Sequence, residues 1–240
     1  VMVQNTRATV KTLSLQSMAD FRCKILETHP DGMELRIDGR EVWVHFLGRF
    51  NAYNLLCVYA AALLLGADRE EVLQIMSTLH PVSGRFEFVR AADGTTAIVD
   101  YAHTPDALQN VIGTINEIRK KDQRLYVVVG CGGNRDATKR PEMAKIAVDG
   151  SDMAVLTSDN PRLEEPGAII EQMKSGLEPG ARYLRIADRA EAIRTAVMLS
   201  RPGDIILVAG KGHETYQVVG DVKHPFDDRE EIKKRFALLN

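Results

Sequence analysis

The sequence predicts an α/β protein: a doubly wound, mostly parallel sheet preceded by a small antiparallel sheet and two helices. Three observations carry this. Leu125–Val129 and Ile205–Ala209 are unbroken apolar runs, which mark strands covered on both faces. From Arg85 onward, strand-like and helix-like segments alternate, the order that builds parallel sheets. Before that point, apolar residues alternate in short runs broken by turn dipeptides.

In chain order, Phe21–Glu27, Met33–Ile37 and Glu41–Phe46 read as strands, separated by Pro30-Asp31-Gly32 and Asp38-Gly39. Asp-Gly between alternating runs favours a type I′ hairpin, whose two central residues need positive φ. Asn51–Leu65 is rich in Ala and Leu without Pro or Gly, so it reads as a helix with Gly66 at C′. Asp68 and Glu71 form a capping box that opens a second helix through Leu79. Pro81-Val82-Ser83-Gly84 breaks the pattern, which places a domain boundary between residues 1–82 and 83–240. Beyond it, strands are expected at Phe86–Arg90, Ala97–Tyr101, Leu125–Val129, Ala154–Thr157, Tyr183–Ile186 and Ile205–Ala209. Helices are expected at Pro105–Arg119, Pro141–Val148, Pro166–Leu177, Arg189–Ser200 and Asp228–Leu238. Thr104 is the natural N-cap of the first, with Pro105 at N1.

The overall charge excludes some function classes. Lys+Arg number 31 against 33 Asp+Glu, so the basic excess of a nucleic-acid partner is missing. The longest apolar candidate, Leu55 to Leu65, falls short of the ~18–20 residues that span a bilayer. Val1-Met2-Val3-Gln4-Asn5 lacks the basic region and apolar core of a signal peptide. Cys23, Cys57 and Cys131 are spaced for neither a disulfide framework nor a zinc site, so a reducing cytoplasm and no protein-built metal site are expected. Val1 already lies inside sequence that reads as folded.

In a doubly wound sheet, ligands bind beyond the carboxyl ends of the strands. Four segments there carry charge, glycine or both: Asp100–Pro105, Gly130–Asp136, Ser158–Arg162 and Gly210–Glu214. Each has a plainer reading. Asp100 and His103 could cap the next helix, Gly130–Gly133 could be a tight turn, and Asp159-Asn160-Pro161-Arg162 suits an ordinary turn. Three glycines in four residues also let a ligand approach backbone N–H groups. Gly210-Lys211-Gly212 is no phosphate loop, because no Ser or Thr follows the lysine. Asp227-Asp228 reads as a solvated helix start. Arg135 and Arg162 offer two forks for carboxylates, while Asp159 and Glu214 offer anions for an ammonium group. Such a set matches an amino acid with more than one carboxylate.

At these loops the sequence resembles the Mur ligases, in the branch that adds meso-diaminopimelate. The resemblance rests on Gly48-Arg49-Phe50-Asn51-Ala52-Tyr53-Asn54, Gly84-Arg85-Phe86-Glu87, Asp100 through Leu108, Gly130–Arg135 with Lys139-Arg140-Pro141, Asp159-Asn160-Pro161-Arg162, Gly210-Lys211-Gly212-His213-Glu214 and Phe226-Asp227-Asp228-Arg229-Glu230. It implies a Rossmann-like C-terminal domain preceded by the end of the central ATPase domain. It also implies ATP as a substrate, with Asn51 and Asn54 near the adenine and Arg85 and Asp100 touching the nucleotide. His103 would stand near the phosphates as the catalytic residue. Arg135, Asp159, Asn160, Pro161, Arg162, Gly210 and Glu214 would hold diaminopimelate. Arg162 would face the carboxylate that lysine lacks, a difference of ~2–5 kcal/mol for one desolvated charge pair.

The implied reaction joins diaminopimelate to UDP-N-acetylmuramoyl-L-alanyl-D-glutamate through an acyl phosphate, with Mg²⁺ whose main ligands fall outside these residues. The family's Gly-Lys-Ser/Thr phosphate loop does not occur in the 240 residues. These residues alone are therefore expected not to ligate. A cytoplasmic monomer with small-molecule substrates, and neither nucleic-acid nor membrane partners, completes the expectation. Other Mur-type or folylpolyglutamate-type ligases, a non-catalytic ligand-binding module and a dinucleotide enzyme are the alternatives, the last lacking a Gly-x-Gly-x-x-Gly turn.

Overall fold

In the computed structural model, which describes residues 3–29 and 31–238, the chain divides after Pro81 into two units. Val1 and Pro30, both singled out above, lie outside the described residues.

The first unit carries β1 (Leu13–Ser14), β2 (Phe21–His29), β3 (Gly32–Ile37), β4 (Arg40–Val44), α1 (Arg49–Leu64) and α2 (Arg69–Thr78). The sheet runs β1-β2-β3-β4, with β2–β3 and β3–β4 antiparallel. Asp38 and Gly39 form the two-residue β3–β4 turn at φ 44° and 87°, the positive pair that the Asp-Gly signal predicts. Periodicity does not foresee β1, which pairs with β2 in parallel. Two residues give no pattern, and the pairing is anchored by the Asp20 carboxylate accepting from Thr12 N (2.9 Å) and Oγ1 (2.7 Å). Gly66 takes its C′ position at φ 91°, and Asp68 caps α2 by accepting from Glu70 and Glu71 N–H.

The second unit continues with β5 (Glu87–Arg90), β6 (Thr96–Asp100), α3 (Pro105–Ile118), β7 (Leu125–Cys131), α4 (Lys139–Asp149), β8 (Met153–Ser158), α5 (Pro166–Lys174), β9 (Tyr183–Arg185), α6 (Arg189–Leu199), β10 (Ile205–Ala209), β11 (Tyr216–Val219), β12 (Val222–Pro225) and α7 (Asp228–Phe236). Its six-stranded sheet has the order β5-β6-β10-β7-β8-β9, and only β5 is antiparallel. The two unbroken apolar runs became β10 and β7, adjacent central strands with every residue buried. On one face, α6 and α7 pack Ala192, Ile193, Ala196, Val197, Ile232 and Phe236 onto Val99, Val128, Val155, Ile206 and Val208. The other face carries α4 and α5 against β7 and β8, with α3 beside α4. Helices on both faces make the sheet doubly wound. Because β6, β7, β8 and β10 are parallel, their carboxyl ends open on one edge.

The hairpin β11–β12 was not expected. It hangs off the sheet rather than continuing it, and Tyr216–Val219 is too short for a decisive period. A second difference concerns Asp228. It is not a solvated helix start but fully buried, because it pairs with an equally buried Arg189.

Candidate functional site

At the β6 end, Asp100 is buried and its Oδ2 accepts from Phe86 N (2.8 Å), so it clamps the entry to β5 rather than capping α3. Thr104 caps α3 instead, accepting from Ala107 N. Burial pushes the Asp100 carboxyl upward, against the N–H groups of Phe86 and Ala102 and the charge of Arg85. Arg85 is exposed and lies over the Tyr101 ring at 4.6 Å, within cation–π range. His103 packs on the same ring, 4.6 Å between centroids, and His213 approaches it at 5.3 Å. The Nδ1 of His103 faces the Tyr101 carbonyl at 2.8 Å. A carbonyl only accepts, so Nδ1 donates and Nε2 is the open nitrogen.

The β7 and β8 loops interlock. Gly133 N–H donates to Asn160 O (2.9 Å), and a Cβ on Gly133 would sit 1.8 Å from Pro161 O. The glycine therefore lets the two loops pack closely against each other. Arg140, buried at the start of α4, grips both oxygens of Glu164 at 2.8 and 2.9 Å and donates to Gly132 O (3.0 Å). Glu164 also accepts from Asn134 N, whose Oδ1 accepts from Leu163 N (3.0 Å).

Beside this clasp, both predicted arginines flank Gly132. Arg162 Nη1 and Arg135 Cγ lie 3.0 and 3.6 Å from where a Cβ on Gly132 would stand. Arg135 is exposed and makes no hydrogen bond or ion pair among the described residues. Arg162 uses Nη1 on Gly133 O (2.9 Å) and Asn160 O (3.3 Å), while its Nε and Nη2 make no hydrogen bond among the described residues.

Arg162 adopts φ 51°, a left-handed conformation that costs a residue bearing a Cβ roughly 1–2 kcal/mol. The unforeseen hairpin holds it there: Arg162 N–H donates to Val218 O (3.0 Å) and its carbonyl accepts from Gly220 N (2.7 Å). Phe86 (53°) and Asn134 (51°) share this conformation, so the strained non-glycine residues of this unit gather at the same sheet edge.

The anions belong to the β8 and β10 loops. Asp159 and Asn160 are buried; Asp159 Oδ2 lies 2.8 Å from where a Cβ on Gly210 would be, and Oδ1 accepts from Asn160 N. Glu214 Oε2 accepts from Asn160 Nδ2 (2.9 Å) and Lys211 Nζ (3.0 Å). Beneath them, Arg189 joins Asp228 through Nε–Oδ1 (2.7 Å) and Nη2–Oδ2 (2.8 Å), and donates to Ser158 O and Ala209 O. These carbonyls end β8 and β10. Burial opposes the guanidinium's charge, but Asp228 outweighs it and raises the Arg189 pKa.

One pH consequence follows from the clasp. The Arg140 hydrogen bonds and the Asn134 N–H hold the Glu164 carboxyl down to about 2 from 4.5. Its stabilisation is complete above the ordinary value and is lost as the pH falls toward about 2. The side chain is 30% exposed, which screens the interaction. Between about pH 6 and about pH 3, the wild type is expected to lose roughly 1–2 kcal/mol more stability than Glu164→Gln in urea titrations. Equal losses would show that the clasp carries no such linkage.

Asn51 and Asn54 belong to the first unit, on α1. Asn51 Nδ2 donates to Leu47 O (2.8 Å), and Asn54 is exposed. Among the described residues, no three His, Cys, Asp or Glu side chains gather as a metal site, and no helix is long and apolar enough to cross a membrane.

The model of the "Mur ligase, glutamate ligase domain" matches residues 84–212, a stretch that holds the first three loops and the start of the fourth. The chain belongs to the Mur ligase family. A diaminopimelate-adding relative, UDP-N-acetylmuramoyl-L-alanyl-D-glutamate–2,6-diaminopimelate ligase of Parabacteroides distasonis, is 59% identical over 99% of this chain and 49% of its own length. Its namesake in Lactiplantibacillus plantarum is 44% identical over 98% of this chain and 48% of its own. The Mur ligase chain thus spans about half the length of the curated relatives it matches. A solved structure titled with the same ligase name aligns at TM-score 0.65 and 37% identity, covering 95% of this chain and 48% of that one. The Thermotoga maritima folylpolyglutamate synthase, at 17% identity over 80% of this chain and 44% of its own and TM-score 0.59, shares the fold.

Sequence reasoning missed Arg140, Glu164, Arg189 and Lys211. No local signal marks Arg140 or Arg189, each at a helix start, as buried, since their partners Glu164 and Asp228 lie 24 and 39 residues away. Lys211 stands three residues from Glu214, but nothing in its own loop marks it as buried.

Proposed function

We propose that this chain supplies the amino-acid-binding half of a cytoplasmic ATP-dependent ligase. The ligase adds meso-2,6-diaminopimelate to UDP-N-acetylmuramoyl-L-alanyl-D-glutamate in peptidoglycan precursor synthesis. One observation carries the reading: Arg162 Nη1 and the stem of Arg135 both flank Gly132 while Asp159, Asn160 and Glu214 line the adjoining loops. Two cationic forks beside two carboxylates suit an amino acid bearing more than one carboxylate. The names of the relatives support the same substrate. Pro161 and Gly210 serve by shape, closing the loops around that set.

On the nucleotide side, Arg85 and Asp100, with Asn51 and Asn54 of the first unit, are the proposed contacts. His103 is the proposed catalytic residue, offering Nε2 to the phosphates. The glutamate carboxylate attacks the γ-phosphorus and ADP leaves; the diaminopimelate amine then attacks the acyl carbon, and phosphate leaves the tetrahedral intermediate. The chain's residues would orient the amine and exclude water from the acyl phosphate. Magnesium would balance phosphoryl charge. Since no three potential ligands gather among the described residues, the residues present do not form its cage, and no step is assigned through it. The first unit is read as the end of the ATPase domain, and the whole as a monomer.

Calorimetry on the 240-residue chain tests the reading: meso-diaminopimelate is expected to bind in clear preference to L-lysine. Equal affinity would overturn it. Incubated with ATP and both substrates, the same chain is expected to form no tripeptide.

A further inference from the structure

Lys211 is a buried charge, set beside the proposed amino-acid site, that the proposed reaction leaves without a role. Its side chain is fully buried, and its ammonium has three directed neighbours: Glu214 Oε2 at 3.0 Å, Asn160 Oδ1 at 3.1 Å and the Tyr216 ring at 5.6 Å. Asn160 is fixed in one orientation by the same network, because Oδ1 also accepts from Val218 N (2.9 Å) while Nδ2 donates to Glu214 Oε2. Both of these hydrogen bonds to Glu214 fall on Oε2, and Oε1 makes none among the described residues.

Burying an ammonium costs more than burying an apolar side chain of equal size, so a purely structural role would not need the charge. A compact point charge suits two acceptors on different loops better than a planar fork.

We infer that Lys211 is a positioning residue: it takes Glu214 by one oxygen and leaves the other aimed for the ammonium group of the incoming amino acid. The inference rests on the substrate reading above. Burial would push the Glu214 carboxyl up, but the Asn160 hydrogen bond, and then Lys211, hold it below the ordinary range. The other charged groups around Glu214 are His213 on its own loop, Arg189 of α6 with its partner Asp228, and Asp159 of the β8 loop.

The test uses the 240-residue chain carrying ¹³C-labelled glutamate carboxyls. In Lys211→Met, which keeps length and removes charge, the Glu214 titration midpoint moves up. Diaminopimelate affinity at neutral pH falls about 10- to 100-fold, the loss of one charge-assisted hydrogen bond. Lys211→Arg restores part of the affinity, which a mere packing role would not do. Should Lys211→Met not fold, the wild-type Lys211 ammonium signal decides: it is slow to exchange, and Glu214→Gln abolishes that protection. An unmoved Glu214 titration in folded Lys211→Met, unchanged affinity, or a fast-exchanging ammonium overturns the inference. A wild type that binds no diaminopimelate, with the Glu214 shift intact, rejects the substrate reading and leaves the Lys211–Glu214 coupling standing.

Discussion

Arg162→Ala is expected to abolish the preference for diaminopimelate over lysine while leaving the weak affinity for lysine nearly unchanged. The Nε and Nη2 donors of Arg162 carry no hydrogen bond among the described residues, so they are available to a second carboxylate. Removing one such desolvated pair costs ~2–5 kcal/mol of binding. The same substitution deletes the contacts to Gly133 O and Asn160 O, so stability must be measured beside binding. Residue 162 sits at φ 51°, where alanine pays the same strain as arginine and glycine pays almost none. Arg162→Gly should therefore be about as stable as the wild type and still fail to discriminate. If both variants keep the preference, the second carboxylate is read elsewhere, with Arg135 the next residue to change.

The second large effect lies beneath the site. Asp228→Ala leaves the fully buried Arg189 guanidinium without its carboxylate, and breaking a buried pair from one side costs ~3–5 kcal/mol. Against a total stability of ~5–15 kcal/mol, that is a large loss. Urea denaturation should show the midpoint dropping sharply for Asp228→Ala, and less for Asp228→Asn, which keeps one acceptor. Replacing both residues by leucine should recover most of the loss, because apolar packing needs no partner. A double variant as unstable as the single one would mean that the contacts to Ser158 O and Ala209 O dominate. Those contacts tie the ends of β8 and β10 together, so every variant should also be tested for diaminopimelate binding.

These two cases divide what could be read from the chain. The central strands announced themselves because a strand covered on both faces must be apolar at every position, as Leu125–Val129 and Ile205–Ala209 are. The α3 start was equally legible, since a Thr-Pro pair satisfies a local geometric demand. The carboxyl-edge loops were legible as a set, because parallel strands place all their exits on one side. Local pattern misread the buried ion pairs. Asp228 looked like an ordinary solvated helix start, and the partner that buries it lies thirty-nine residues earlier in the chain.

What the sequence alone determined, then, is the layer order, the positions of most strands and helices, and which loops meet at the sheet edge. Each of those follows from residues adjacent or regularly spaced along the chain. Tertiary structure decided which charges became usable. Arg140 is spent on Glu164 and Lys211 on Glu214, while Arg135 and part of Arg162 remain open among the described residues. A charge is committed only when folding brings its counter-charge within hydrogen-bond distance, and that distance is set by packing between elements.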